Sequence, residues 1–420
     1  MTLEPDNAVE PSNALAPTRP LWRNWRFQLL WIGSGTGFLG MGVADFAYPL
    51  VILSITGAPG LAAAFGFVQI VATVLAGLPA GAFVDRADRR HVLMFTEATR
   101  ALVAASVFLA AVLGHLTLVH LLLVAAVLGA VSPLAASSRM LVVRAVVPPD
   151  QLTAALTQDQ VRSSVTGLAG PPLGGVILAA GRALPFLTCA VSFAVSFATA
   201  LIVRIPPPEP LALSRRNGMF AGVSELWENR MIRSAMTTMC IINIGGNALY
   251  LAVVVQLLHH GSSTRSIGIA MAGEAAGNLL GAAFVSTLHR RLGPGTLLLT
   301  VSAMLTGGVA LLAIPLGAWW ASGVLMMAML GMPSVAVLID ILILRQVPDE
   351  RRGRTMTAFT TVLTVGIPIG TLVGGLLLQF AGPTVTILAI AAVCAIGLAR
   401  GVADPHLRQA QWPVDASSDI

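Results

Sequence analysis

Twelve apolar stretches, each about 20 residues or longer, leave this chain one solvent that can accommodate it, a lipid bilayer. They fall at 27–55, 62–83, 92–114, 117–143, 161–181 and 186–204. After a polar interval they resume at 234–258, 266–288, 295–315, 319–344, 355–380 and 384–402. Each is expected to be helical, because hydrocarbon offers no partner to the N–H and C=O groups of an isolated strand. Of the 420 residues 56% are hydrophobic and only 10% charged, against about 25% charged in soluble domains.

The second six stretches repeat the first six. Phe83-Val84 and Arg89-Arg90 recur as Phe284-Val285 and Arg290-Arg291, and Arg144 and Val146 recur as Arg345 and Val347. Pro133, Pro148, Gly170 and Gly174-Gly175 recur as Pro333, Pro348, Gly370 and Gly374-Gly375. The expected fold is an all-α membrane protein with twelve transmembrane helices in two pseudo-symmetric six-helix bundles. The expected division is a tail at 1–26, a bundle at 27–204, a linker at 205–233, a second bundle at 234–402 and a tail at 403–420. The linker opens with Pro206-Pro207-Pro208, and its Ser224–Arg233 part reads as a short charged amphipathic helix. Many transporters built from such repeats keep their site between the halves.

Arginine sets the orientation. Arg19, Arg23 and Arg26 precede span 1, Arg86, Arg89 and Arg90 follow span 2, and Arg290 and Arg291 follow span 8. The linker and the loop after span 10 are arginine-rich too, whereas the opposite loops hold only Arg182 and Arg265. The positive-inside rule then puts both termini and the linker in the cytoplasm. Nucleic acid is not an expected partner, because the net charge is only +6 and the arginines sit in short clusters between apolar runs. Cys189, Cys240 and Cys394 all lie inside apolar runs, so neither disulfides nor a metal site is indicated. His259-His260 lacks the i, i+4 spacing of a helical metal site. No phosphate-binding loop is present, which argues against an ATP-driven pump, and no enzyme activity or cofactor is expected.

At the loop after span 2 the chain reads Gly81-Ala82-Phe83-Val84-Asp85-Arg86-Ala87-Asp88-Arg89-Arg90. This resembles the signature loop of the major facilitator superfamily, with Asp88 in place of the usual glycine, a change expected to loosen the turn. Span 5 carries Gly170-Pro171-Pro172-Leu173-Gly174-Gly175, similar to the antiporter motif of that superfamily's drug exporters, although Thr166 stands where the full motif has a glycine. With Trp31, Pro49-Leu50 and Arg100, these residues resemble the twelve-span drug–proton antiporter branch, which includes macrolide and siderophore exporters. The resemblance implies efflux of a lipophilic drug or secondary metabolite in exchange for protons, by a monomer in the bacterial cytoplasmic membrane. It also implies a latch at Gly81, Asp85, Arg86, Arg89 and Arg90 that holds the outward-open state. The alternatives are a facilitator or importer of a metabolite or lipid, and a non-transporting membrane receptor or assembly protein.

Several polar residues stand inside the spans. Asp45 lies about ten positions from the outer end of span 1, between Ala44 and Phe46. A carboxylate at that depth is costly unless it faces a wet cavity, finds a partner or is protonated. Glu274 sits at similar depth in span 8 among Gly273, Ala275, Ala276 and Gly277, small residues that permit close helix approach. Each is either a proton carrier or a structural hydrogen-bonding group. Arg139 and Asp340 occupy repeat-equivalent positions in spans 4 and 10; they form either a cytoplasmic gate or two independent snorkelling charges. Glu97 and Arg100, at i and i+3, are expected to pair with each other.

Asn243, Asn247 and Tyr250 make one polar stripe on span 7, suited to substrate contact or to helix–helix hydrogen bonds. Met236 and Met239 on the same span either extend an adaptable apolar surface or face lipid. The glycine and proline residues Gly170, Pro171, Gly174 and Gly175, with Gly366, Pro368, Gly370, Gly374 and Gly375, put smooth faces on spans 5 and 11. Such faces allow tight packing and suit a seam on which two halves rock.

Overall fold

A computed structural model of the protein describes residues 21–148, 151–203, 227, 230–346 and 349–410. Among the described residues there is no strand, and eleven helical stretches are long and apolar enough to cross a membrane. The remaining span contributes a shorter apolar helix, Gly366–Ala381. In chain order the first bundle comprises α1 (Trp25–Thr56), α2 (Pro59–Arg86), α3 (Arg89–Val112), α4 (Leu118–Val146), α5 (Leu152–Ala180) and α6 (Leu184–Ile202). The second comprises α7 (Arg230–Ile244), α8 (Gly246–His259), α9 (Thr264–Arg291), α10 (Pro294–Leu311), α11 (Ala318–Met329), α12 (Met332–Gln346), α13 (Asp349–Ala381) and α14 (Pro383–Ala403), followed by the short α15 (Pro405–Arg408).

Two spans are broken. Span 7 is α7 and α8, interrupted at Gly245, and span 10 is α11 and α12, interrupted at Leu330–Gly331. Arg230 to Arg233 form the first turn of α7, and the rest of the linker helix expected at Ser224–Arg233 lies outside the described residues apart from Trp227.

Helix ends follow the local sequence. Asn24 accepts a hydrogen bond from the Phe27 N–H at 3.3 Å and Thr117 accepts from the His120 N–H at 3.3 Å, capping α1 and α4. Gly57 ends α1 at φ 65°, and its N–H donates to the Leu53 carbonyl at 2.8 Å, which lets Pro59 start α2 after only two residues. All five positive-φ glycines among the described residues lie in the turns on this arginine-poor face.

Asp88 does not loosen its turn. Its carboxylate caps α3, accepting from the Arg90 N–H at 2.8 Å and the His91 N–H at 3.4 Å, and it faces the His91 ring at 2.9 Å. Slight burial would raise this carboxyl, but the hydrogen bonds from Arg90 and His91 and the His91 charge outweigh it and hold it below its ordinary range. A depressed carboxyl stabilises above its unfolded value and loses that contribution as pH falls through the folded one. Asp88→Ala is therefore expected to cost about 1 kcal/mol of stability at neutral pH, measured as thermal unfolding in detergent, with the difference from wild type vanishing in acid.

The packing obeys the repeat. In the first bundle α2 packs on α4, α1 on α5 and α6, and α3 on α6. In the second, α9 packs on α11, α7 and α8 on α13 and α14, and α10 on α14. The halves meet through α2 against α13 and α5 against α9, a pair of contacts exchanged by the same two-fold relation.

Glycines decide how close these helices come. A Cβ on Gly170 would lie 2.9 Å from the Gly42 Cα, and one on Gly174 would lie 3.0 Å from the Phe46 Cβ. Both contacts tie α5 to α1 within the first half. The equivalent Gly370 and Gly374 face Ile244 and Ala248, within the second half. Only the last glycine of each row reaches across: Gly175 faces Gly268 of α9, and Gly375 faces Gly60 and Ala63 of α2. On α9, Gly273, Gly277 and Gly281 face the backbone of Ser322, Met326 and Leu330, so this row sets α11 and its break directly against α9.

A Cβ at Gly370 would meet the backbone carbonyl of Ile244, beside the break in span 7. Gly370→Ala is expected to destabilise by about 1–3 kcal/mol through overpacking. Gly323→Ala, where nothing lies within 4 Å of the new Cβ, is expected to be neutral or to stabilise by up to about 1 kcal/mol. Thermal unfolding in detergent separates the two.

Candidate functional site

Ala44 and Phe46 are each 1% exposed, yet Asp45 between them is exposed, because its side chain opens into a cavity of about 340 Å³ between the halves. Gln69 of α2, Pro171 of α5, Tyr250 of α8 and Thr371 of α13 line the same space. Pro49 and four glycines and alanines of α1 and α2 keep its walls low. The position predicted as costly is thus a carboxylate beside a void.

Glu274 is half-buried and lines two further cavities, each of about 480 Å³. One lies inside the second bundle and is walled by Met239, Met271, Met329 and Met332, with Asn243 and Glu274 as polar points. The other lies between Ser163, Gly167 and Pro171 of α5 and Glu274 and Asn278 of α9. Tyr250 lines all three cavities and lies within electrostatic reach of both Asp45 and Glu274. Among the described residues no arginine lines any of the three. The resulting space is largely apolar and methionine-rich in the inner cavity, and its polar points are carboxylates, amides, the Ser163 and Thr371 hydroxyls and a phenol. Such a lining suits an adaptable fit to lipophilic molecules.

The break at Gly245 positions this wall. Beyond it Tyr250 lines the cavities shared with the first bundle, while Asn243, two turns earlier, donates to the Leu363 carbonyl at 3.2 Å and lines the inner cavity. Asn243 therefore makes a helix–helix hydrogen bond and also borders the cavity. The Asn247 side chain lies outside the described residues. Met236 is fully buried against Ile232 and Phe359, and Met239 is 7% exposed at the cavity wall, so neither faces lipid.

A second polar group lies in the first bundle. The Arg139 guanidinium donates to Glu97 Oε1 at 3.2 Å, and Arg100, one turn along α3, approaches the same oxygen at 3.9 Å. The expected i, i+3 pair is present, but Arg139 from α4 is the nearer partner. Arg139 also stacks over Phe38 at 4.7 Å, and Arg162 lies 5.5 Å from the same ring. Four helices, α1, α3, α4 and α5, bring these side chains together, so spacing along the chain carried no signal of them. Asp340 falls on α12, and its side chain lies outside the described residues.

In the signature loop, Arg90 donates to the carbonyls of Ala200 and Leu201 at the end of α6, at 3.3 Å to the first, and Arg89 opens α3. Gly81, Asp85 and Arg86 fall in the last turns of α2, and the side chains of Asp85 and Arg86 lie outside the described residues. Gln69 and Thr371 were not singled out from the sequence; a search for isolated polar residues inside the apolar runs would have found both.

The family model of the Major Facilitator Superfamily matches residues 30–363. The chain belongs to the major facilitator superfamily. Among its relatives, the multidrug efflux pump Tap of Mycobacterium tuberculosis is 26% identical over 371 residues, covering 84% of this chain and 87% of Tap. The fold is shared with a bacterial homologue of the human lysosomal transporter Spinster, solved in an inward-facing, unoccupied conformation. That structure has a TM-score of 0.72 at 14% identity and covers 94% of this chain and 99% of the homologue. A bacterial homologue of the iron transporter ferroportin in an inward-facing state gives a TM-score of 0.71 at 17% identity, with 91% and 99% covered. This member of the superfamily is a multi-pass membrane transporter, with the architecture of two six-span bundles that the repeat implied.

Proposed function

We propose that the chain exports lipophilic drugs or secondary metabolites by alternating access, in exchange for protons. The observation that carries this reading is the pair of carboxylates, Asp45 and Glu274, set in apolar cavities that share Tyr250. A carboxylate kept beside a void in the membrane interior is a default functional group, since binding and release of a proton removes and restores its charge. The wide methionine-lined wall fits a substrate held by shape and apolar contact, and the similarity to Tap favours export of several compounds. The cavity lining, free of arginine among the described residues, favours cationic and neutral substrates over anionic ones.

In this reading the moving parts are residues 27–204 and 234–402, joined by the linker 205–233. The protein acts as a monomer in a bacterial cytoplasmic membrane with both termini inside. Gly175 and Gly375 form the seam on the arginine-poor side, and the Asp85 and Arg86 loop latches the opposite state. Arg139, held by Glu97 in the present state, exchanges that partner for Asp340 when the arginine-rich side closes.

The test is a susceptibility and accumulation screen in a pump-deficient host, with and without an uncoupler, over cationic, neutral and anionic lipophilic compounds. Reduced accumulation that the uncoupler abolishes is the expected result, and accumulation unchanged for every class would sink the reading. The gate is tested by charge reversal. Arg139→Asp and Asp340→Arg are each expected to cut efflux at least about tenfold, the kinetic equivalent of 1.4 kcal/mol, and the double swap to restore part of it. Absence of any rescue would exclude direct pairing.

A further inference from the structure

The buried faces of α3 and α10 coincide when the repeat is laid on Arg90 and Arg291. Leu93, Thr96, Glu97, Arg100, Ala104 and Val107 then fall on Pro294, Leu297, Leu298, Val301, Leu305 and Gly308, and all twelve are buried. Eight of the twelve are apolar side chains; Thr96 stands where the second half has Leu297, and at two further positions charged groups stand where the second half is apolar. Where the second half has Leu298 and Val301, 1% and 2% exposed, the first has Glu97 and Arg100, 0% and 7% exposed.

The scaffold therefore does not need charge there. Burying an ion pair costs solvation that hydrophobic side chains of similar volume do not lose, so a pair kept where its symmetry mate is apolar calls for a reason other than stability. The pair is also incompletely satisfied: Glu97 Oε2, Arg100 Nε and Arg139 Nε have no hydrogen-bond partner among the described residues. Such groups can change partners at little cost.

Two contacts orient Arg100 in this state. Its guanidinium donates to Ser132 Oγ at 3.2 Å and stacks 5.4 Å from the Phe193 ring. Phe193 is one turn from Cys189 on α6, and the backbone of Cys189 lies 3.1 Å from where a Cβ on Gly40 of α1 would be. Phe193 also packs on α1, 3.5 Å from where a Cβ on Gly37 would be, and Arg100 lies within electrostatic reach of Asp45 on that helix. The other groups that face Asp45 are Cys189 of α6, Tyr250 of α8 and Tyr48 of its own helix, with Gln69 of α2 and Thr371 of α13 lining the cavity. Among the described residues α5 adds Gly167 and Pro171 there, and Arg100 is the one cation among these groups.

We infer that Arg100 is a positioning residue that links the cavity carboxylate Asp45, through Glu97, to the gate arginine Arg139. With Asp45 charged, Arg100 is drawn toward it and Glu97 is left to hold Arg139. With Asp45 neutral, Arg100 turns its full charge on Glu97 and competes with Arg139, which is freed to find a partner across the cavity. The inference rests on the reading of Asp45 as proton carrier, and the test separates the two.

Spin labels are placed at Ile202→Cys and Gln409→Cys, exposed sites at the arginine-rich ends of the two halves, with the three native cysteines replaced. The distance between them is measured against pH for the full-length protein in lipid nanodiscs. Wild type is expected to pass between two distances over a narrow pH range, and Asp45→Asn to lose that transition. Glu97→Leu with Arg100→Val, which copies the second half's own core, is expected to fold yet lose the transition at least about fivefold in amplitude or shift it upward by about 1 pH unit, the effect of a nearby cation on a carboxylate. Arg100→Lys is expected to keep it.

If Asp45→Asn loses the transition while Glu97→Leu/Arg100→Val keeps the wild-type profile, the link through Arg100 is overturned and the carrier stands. If Asp45→Asn keeps the transition, or wild type shows none, both fall. Should the double variant fail to fold, Arg100→Gln decides in its place, with the same loss expected and an unchanged profile overturning the link.

Discussion

Asp45→Asn is expected to abolish transport driven by a proton gradient while leaving the protein folded and able to bind substrate. The substitution keeps the volume and polarity of a side chain that opens into a cavity of about 340 Å³, so no packing is lost and no buried group is stranded. What it removes is the ability to take up and release a proton. A loss of at least about a hundredfold in gradient-driven flux, with equilibrium exchange of substrate retained, would be the signature of lost coupling, since a uniform loss of binding would slow both. Glu274→Gln is the paired experiment. Glu274 borders the inner cavity where the methionine wall lies, so it is expected to change which compounds are carried as well as how fast. Full gradient-driven transport in both variants would remove the carboxylates from the mechanism.

The second large effect is expected at Gly375→Leu. Gly370 and Gly375 belong to one row on α13, but Gly370 faces α7 within its own bundle and Gly375 faces Ala63 and Gly60 of the other. A side chain at Gly375 therefore meets its obstacle only while the arginine-poor side is shut. Opening that side relieves the clash without disturbing either bundle, because packed bundles move as units and do not deform continuously. Gly375→Leu should hold the molecule open on that face, cut transport at least about tenfold and leave thermal unfolding within about 1 kcal/mol of wild type. Gly370→Ala is expected to do the reverse, with lower stability and an unchanged conformational balance. Cysteine accessibility on the arginine-poor face, with and without the Gly375 substitution, distinguishes a displaced equilibrium from a damaged fold.

The sequence made the architecture legible because lipid allows so few solutions. Apolar runs of sufficient length had to be helices, the repeat had to make two bundles, and the arginine-poor loops were too short for anything but the glycine turns found there. The breaks in spans 7 and 10 were hidden, since Gly245 and Gly331 sit in apolar runs that continue on both sides and glycine is frequent in membrane helices. Asp45 and Glu274 stood out because charge is expensive at that depth. Their link to Tyr250 could be suspected only as a polar stripe on span 7, because the cavities joining them form between helices distant in sequence.

Contacts across helices explain the other differences. Arg100 was the obvious partner of Glu97 by spacing, yet Arg139 lies closer, a fact set by the packing of α4 on α3. Asp88, a departure from the signature loop, proved to be the cap of α3. The glycine rows on spans 5 and 11 read as one seam, whereas most of their glycines pack within a bundle and only Gly175 and Gly375, with the Pro171 carbonyl against Gly268, reach across.

Substrate-evoked proton flux tests the account most directly. Proteoliposomes holding the purified protein, a trapped pH indicator and a compound chosen from the efflux screen are followed as the compound moves down its gradient with no imposed pH difference. The account expects protons to move in the opposite direction, with the signal absent in Asp45→Asn. Movement of the compound with no proton flux, or with protons in the same direction, would contradict it.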